Sequence, residues 1–263
     1  MARYQIVLAY DGTRFFGSQR QAKPEASTIG AGSRAAKSRT VQGELERALT
    51  RLGWQGKSVL LAGRTDSGVH ASGQVASFDH EWNHPLEELV SALNANLPTD
   101  VAVSAAKIVP DEFHPRFDAT SRRYCYRLFC QKRRDPLRER YAWRVWPALD
   151  EDALHNAARL FLGMHDFAAF GSPPRPESST VRTVMKSEWQ LQGDGWTFEV
   201  QADGFLYRMV RKLVHVQVAV GQGRLSAQVI ADALEGRPRG VPGGLAPANG
   251  LTLVEVTYPV AIN

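Results

Sequence analysis

Cysteine is nearly absent: two of 263 residues, Cys125 and Cys130. That is too few for the disulfide frameworks that hold small secreted domains together. The interval between them is odd, so on a strand they fall on opposite faces and cannot easily bridge. They read as small buried hydrophobes. Long apolar runs are missing as well, and no stretch approaches the ~20 apolar residues that a bilayer span needs. The opening apolar stretch, Ile6 to Ala9, breaks at Asp11-Gly12, unlike a secretion signal. A cytoplasmic location without membrane attachment is the expectation. Acidic residues are the minority, at 27 against 32 Lys+Arg, for a net charge of +5 and a sequence pI near 9.4. Such a chain tends to meet polyanions. The 43% hydrophobic content is ordinary for a soluble globular chain, and the length allows one large domain or two small lobes.

The positive charge is clustered. Between Ser121 and Arg144 stand nine basic residues against two acids, with Tyr124, Tyr126, Tyr141 and Trp143 interleaved. Arginine among aromatics suits phosphate contact combined with base stacking, and a solvated face would mix its signs more evenly. Candidate phosphate contacts are Arg64, Arg122, Arg123, Lys132, Arg133, Arg134 and Arg208.

Alternation predicts strands at Tyr4–Tyr10, Ser58–Ala62, Gln74–Phe78, Arg122–Cys130, Trp196–Gln201 and Leu251–Tyr258. Helical spacing predicts helices after the N-caps Thr40 and Asp150. Further helices are predicted over Pro85–Asn94, Phe205–Gly221 and Ser226–Glu235, the last with Gly236 at its C′ position. Ala22–Arg39 is small, polar and basic, and reads as a loop. The pattern indicates an α+β fold with largely antiparallel sheet, in two halves of similar element order. A boundary falls near 110–120 or 145–150; the first gives lobes 1–115 and 116–263.

One loop stands out. Gly63-Arg64-Thr65-Asp66-Ser67-Gly68-Val69-His70, running on to Gly73, separates two apolar strands. Its glycines allow tight turns and close approach to a ligand. Thr65 and Ser67 can orient the Asp66 carboxylate, and Arg64 and His70 can supply positive potential. Taken alone, Asp-Ser-Gly is also a common inert turn.

This loop resembles the signature of the tRNA pseudouridine synthase A family, Gly-Arg-Thr-Asp-(Ala/Ser)-Gly-Val-His. The likeness continues along the chain. Tyr10-Asp11-Gly12-Thr13, Phe16-Gly17, Gln19-Arg20-Gln21 and Thr40-Val41-Gln42 are similar to the family's first motifs. Asn94-Ala95-Asn96-Leu97-Pro98, Phe113-His114 with Arg116, and Arg122-Arg123-Tyr124-Cys125-Tyr126 follow in family order. So do Asp166-Phe167, Thr180-Val181-Arg182, Phe205 to Arg211 and Ala246 to Leu251.

The resemblance implies a pseudouridine synthase fold: two similar lobes, each a mixed or antiparallel sheet backed by helices, forming a basic central cleft. It implies a cofactor-free isomerisation of uridine to pseudouridine at positions 38, 39 and 40 of the tRNA anticodon stem-loop, by a homodimer. Asp66 corresponds to the residue that starts glycosidic cleavage, Tyr124 to the one that stacks on the target base, and Arg211 to the aspartate's partner. Arg64, Arg123 and Arg208 are expected to bind substrate, and no metal is expected. The chemistry gives these roles a reason. An enclosed carboxylate loses water and drifts toward its neutral acid, and a neighbouring guanidinium opposes this. Arginine suits the task because it stays charged and binds bidentately. Stacking on one aromatic, worth ~1–3 kcal/mol, offsets much of the few kcal/mol that base flipping costs.

Three features depart from the family pattern, one of them the Ala22–Arg39 loop, which is longer than the family's and reads as a tolerated insertion. Ser18 stands where tryptophan is usual, which predicts a lost packing contact, and His215 stands where glycine is usual, which predicts altered packing near Arg211. Two other readings stand beside this one. A non-catalytic RNA-binding module would explain the basic stretch and leave the Asp66 loop unexplained. An aspartic-type hydrolase would use Asp66-Ser67-Gly68, and its chemistry needs a second carboxylate. A metal site on His80 and His84 lacks further ligands nearby.

Overall fold

The structure, a computed structural model, describes residues 1–20, 39–237 and 241–259. The chain packs as two compact units, Met1–Asp118 and Ala119–Asn263. No helix among the described residues is long and apolar enough to cross a membrane. Most of the loop expected over Ala22–Arg39 lies outside the described residues.

The first unit contains β1 (Ala2–Tyr10), a 3-10 turn (Gly12–Arg14), α1 (Val41–Arg51), β2 (Leu60–Leu61), β3 (His70–His80), α2 (Leu86–Asn96) and β4 (Val101–Val109). Its sheet runs in the order β4-β1-β3-β2, antiparallel throughout. Alternation along β1 buries Tyr4, Ile6, Leu8 and Tyr10, as a strand with one covered face requires. Thr40 caps α1 by accepting from the Gly43 amide, satisfying one of the donors a helix start leaves open. Leu45 and Leu49 of α1 and Leu89 and Leu93 of α2 are fully buried. Arg39 bonds to Asp100 and Glu44, with its guanidinium 4.3 Å from the Phe15 ring centroid.

The second unit contains β5 (Ser121–Cys130), β6 (Trp143–Val145), α3 (Glu151–Arg159), β7 (Gly163–Asp166), β8 (Val181–Gln192), β9 (Gly195–Ala202), α4 (Met209–Gly221), α5 (Gln228–Leu234) and β10 (Leu251–Thr257). Its antiparallel sheet runs β10-β5-β9-β8-β7, and β6 joins the end of β5 in parallel. Asp150 caps α3 through the Ala153 amide. The core includes Tyr126, Phe161, Phe167, Trp189 and Phe198. Trp189 reaches a polar partner by donating from Nε1 to Gln217 Oε1 at 2.8 Å. Both cysteines are free thiols on β5, and burial pushes each of them up from the usual thiol range.

Three expectations change. The helix predicted from Phe205 begins only at Met209, because Arg208 adopts φ +63, a left-handed conformation that stops helical continuation. The strand predicted over Ser58–Ala62 shrinks to Leu60–Leu61. The loop predicted to run to Gly73 ends earlier, since β3 already starts at His70.

Candidate active site

In the first unit, the loop between β2 and β3 closes at its tip, where the Val69 amide donates to Asp66 O at 3.1 Å and Gly68 takes φ +79. Asp66 is half-buried there. The residues on either side of it are tied down. Ser18 is fully buried, and its hydroxyl accepts the Thr65 amide at 2.9 Å. Its own amide donates to Thr65 O at 3.1 Å, and its carbonyl caps α1 through the Gln42 amide at 2.9 Å. The Tyr10 hydroxyl pairs with Thr65 Oγ1 at 2.9 Å. Gln74 donates to Gly63 O at 2.9 Å, and Ser67 donates to Phe15 O at 3.0 Å. Burial pushes the Tyr10 phenol up from its usual range, so it stays a neutral hydrogen-bonding partner.

Two glycines make this contact possible. A Cβ on Gly12 would sit 2.0 Å from Val69 O, and one on Gly17, at φ +95, 2.8 Å from Thr65 O. Only residues without a Cβ let the segment after β1 lie this close to the turn.

This arrangement places Ser18 and His70, both singled out from the sequence, around the Asp66 turn. Ser18 joins α1 to the Asp66 turn through its hydroxyl, amide and carbonyl. The buried His70 Nδ1 lies 3.0 Å from the Gly12 amide nitrogen and 3.2 Å from Asp11 Oδ1. It locks the 3-10 turn onto the start of β3. Arg64 is exposed and donates to Gln19.

The other expected site residues belong to the second unit. Tyr124 on β5 is 8% exposed, with Phe205 packed edge-on at 5.1 Å between centroids. Arg211 on α4 donates from Nε to Ala246 O at 2.8 Å, and the Ala246 amide donates back to Arg211 O at 3.0 Å. The next residue, Pro247, accepts the Tyr126 hydroxyl at 2.9 Å. Burial raises that phenol well above its usual range, and the Arg211 charge partly opposes the rise. His215, one turn further along α4, packs against Gly244, where a Cβ would meet its Nε2 at 2.6 Å. Burial, then the charge of Lys212, lowers its pKa. Arg208 is exposed, with its guanidinium 4.7 Å from the Tyr207 ring centroid. Its left-handed backbone costs ~1–2 kcal/mol, the kind of strain found at functional positions.

Much of the basic stretch is neutralised inside its own unit. Arg123 pairs with Glu255 at 3.0 Å and Glu199 at 3.6 Å. Arg134 and Arg144 share Glu139, and Arg138 pairs with Asp194. Arg122 donates to the carbonyls of Ala119 and Asp203. Among the described residues, no cluster of three or more His, Cys, Asp or Glu side chains is arranged to hold a metal.

Of the residues that build the turn, Tyr10 and Gln74 lie within motifs already noted, but their bonds to Thr65 and Gly63 span 55 and 11 positions. Ser18 stood out in the sequence only as a departure from the family pattern, with no sign of its bond to a residue 47 positions away.

Comparison with known proteins bears on the same residues. A family model described as tRNA pseudouridine synthase matches residues 6–118 and 157–259, which include Asp66, Tyr124 excepted, and Arg211. The tRNA pseudouridine synthase A of Methylacidiphilum infernorum is 44% identical over 97% of this chain and 95% of its own. That of Myxococcus xanthus is 40% identical over 98% of this chain and 92% of its own, and that of a Geobacter strain 39% over 98% and 100%. With the match covering most of its length, the chain belongs to the tRNA pseudouridine synthase family.

Proposed function

We propose that this isomerase converts uridine to pseudouridine at positions 38, 39 and 40 of the tRNA anticodon stem-loop, with Asp66 starting the reaction. The observation that carries the role of Asp66 is its turn, tied on both sides by Ser18, Tyr10, Gln74 and Ser67. A carboxylate carried on backbone that is fixed in advance has less freedom to lose when the reacting atoms arrive, and prepaid orientation is among the largest sources of catalysis. The Asp66 carboxylate bonds to C1′ of ribose as the bond from C1′ to N1 of uracil breaks, the base turns, and C5 bonds to C1′ as the carboxylate leaves. The C5 proton leaves to water and N1, freed from the ribose, takes one up, so atoms balance without a cofactor.

Tyr124 contacts the target uracil, and Arg211 serves as the fixed cation, its guanidinium already oriented by Ala246. Arg64 and Arg208, both exposed, contact phosphate. Arg123 is committed to Glu199 and Glu255, so its contribution is to hold β5, β9 and β10 together. The resemblance also supports a cytoplasmic homodimer that binds tRNA.

The test is release of tritium from tRNA carrying the label at uridine C5. The chain is expected to release it, and Asp66→Asn is expected to release none while still binding tRNA. Equal release by both proteins defeats the role of Asp66. Binding without any release favours the non-catalytic RNA-binding reading. Mapping the modified positions by reverse transcription tests the assignment to 38, 39 and 40.

A further inference from the structure

The Phe113-His114 motif with Arg116 has no part in the chemistry above, yet the first unit builds it with care. The His114 amide donates to Asp118 Oδ2 at 2.9 Å, and the Asp118 amide donates to His114 O at 3.1 Å. Within that ring, His114 Nδ1 accepts the amides of Arg116 and Phe117 at 3.1 and 3.3 Å. A nitrogen accepting amide bonds carries no proton, so the hydrogen-bond pattern assigns the ring proton to Nε2, which is then a donor. The turn is rigid by its own bonds.

What the turn displays is Phe117, 76% exposed. The His114 ring lies 4.3 Å from it, tilted by 34°, and the Arg116 guanidinium lies 6.0 Å from its centroid. Beside this ring is a cavity of about 160 Å³, lined among others by Gln19, Leu61, Arg64, His114, Arg116 and Phe117. No acidic side chain lines it among the described residues. It is smaller than the ~300–1,000 Å³ of a typical small-molecule site, but it suits a phosphate or the edge of one base. Arg64 stands two residues before Asp66, so their Cα atoms are at most ~7 Å apart. That is the scale of a single nucleotide step.

We infer that this cavity is a nucleotide subsite for an unpaired nucleotide flanking the target uridine in the same RNA strand. The base stacks on Phe117, and the phosphate lies between Arg64 and Arg116, with His114 Nε2 as an additional donor. Stacking on an exposed aromatic beside arginine is how proteins hold unpaired RNA with little sequence preference. A peptide ligand is the other occupant that an exposed Phe could serve, but the absence of lining carboxylates and the proximity to Asp66 favour RNA. The inference rests on the reading that RNA is the substrate.

The experiment compares wild type with Phe117→Ala, Phe117→Trp and Arg116→Ala as full-length chains. Two readouts are taken: tritium release across tRNA concentrations, and binding of fluorescently labelled tRNA across salt concentrations. Phe117→Ala is expected to weaken binding and raise KM about tenfold, within the range of one lost stacking contact. Its salt dependence should match wild type, and Phe117→Trp should restore affinity. Arg116→Ala is expected to weaken binding and reduce the salt slope by about one. Loss of one stack and loss of one phosphate contact are thereby told apart. Binding by Phe117→Ala and Arg116→Ala within twofold of wild type overturns the subsite, as would a surface that needs Phe117 only to hold a protein partner. Wild-type binding without tritium release would defeat the reading of function, while weakened binding by Phe117→Ala would still support the subsite.

Discussion

Replacing Ser18 with alanine tests whether the rigidity of the Asp66 turn matters to the reaction. Alanine keeps the shape of this fully buried residue and removes only the hydroxyl that accepts the Thr65 amide at 2.9 Å. The backbone bond from the Ser18 amide to Thr65 O stays, so the turn is loosened rather than lost. Thr65 is 7% exposed, and a buried donor deprived of its acceptor costs ~1–3 kcal/mol. At ~2–4 °C per kcal/mol for a chain of this size, the melting temperature should fall by roughly 2–12 °C. Asp66 follows Thr65 directly. A displacement of ~1 Å costs about 10²-fold in rate, and a shift of some tenths should lower kcat on the order of tenfold. KM for tRNA should change little, since Ser18 is closed off from solvent. The assay pairs thermal unfolding by circular dichroism with tritium release under saturating tRNA. A lower melting temperature with unchanged kcat would refute the reasoning, because the bond would then hold the fold and not the carboxylate. An unchanged melting temperature would show that the Thr65 amide does not depend on Ser18.

Gly17→Ala should destabilise the chain by more than ~1 kcal/mol and slow tritium release, since its Cβ would press on Thr65 O from a left-handed backbone; normal melting and rate would contradict the close approach. Arg3 and Arg39 donate to Asp79 and Asp100 and, against burial, hold both carboxyls below their ordinary value of 3.8. Their folded values lie below the unfolded ones, so the stability they add is full above pH ~4 and is lost as pH falls through the folded values. Melting should therefore be insensitive to these pairs near neutrality and drop in acid; Asp100→Asn should lower it at pH 7 and flatten the acid slope, and an unaltered slope would rule the pair out as its source. Arg211→Lys keeps the charge but loses the Nε donor to Ala246 O, which should cost ~0.5–1.5 kcal/mol in unfolding measurements and reduce tritium release; full activity would mean that a point charge suffices.

The turn that carries Asp66 was legible because its residues are contiguous in sequence, as were the caps at Thr40 and Asp150, which are local. Ser18 was not, because its value lies in a bond to a residue 47 positions away, and side-chain identity alone suggested only a missing tryptophan. The start of α4 was misread for a different reason. Apolar spacing from Phe205 onward reports which side chains are covered, while Arg208 breaks the helix through a backbone angle that spacing does not register. Strands β4 and β8 went unread since their alternation is diluted by alanine, lysine and serine on the open face. The basic stretch shows the limit of counting charge. Its arginines are real, but Glu139, Asp194, Glu199 and Glu255 meet them through the fold, and most of those acids lie far along the chain.

If Asp66 starts the reaction as proposed, the fixed turn around it also has a consequence for how the enzyme selects. With the backbone that carries the carboxylate held in place, the substrate must be remodelled to reach it, and the work of unstacking and unpairing falls on the RNA. That work depends on how pliable the stem is around each uridine, including base pairs that the protein never touches. Mechanical softness of the tRNA then becomes a specificity signal of its own. Between two uridines with the same neighbours in sequence, the one in the looser stem is then expected to be modified first.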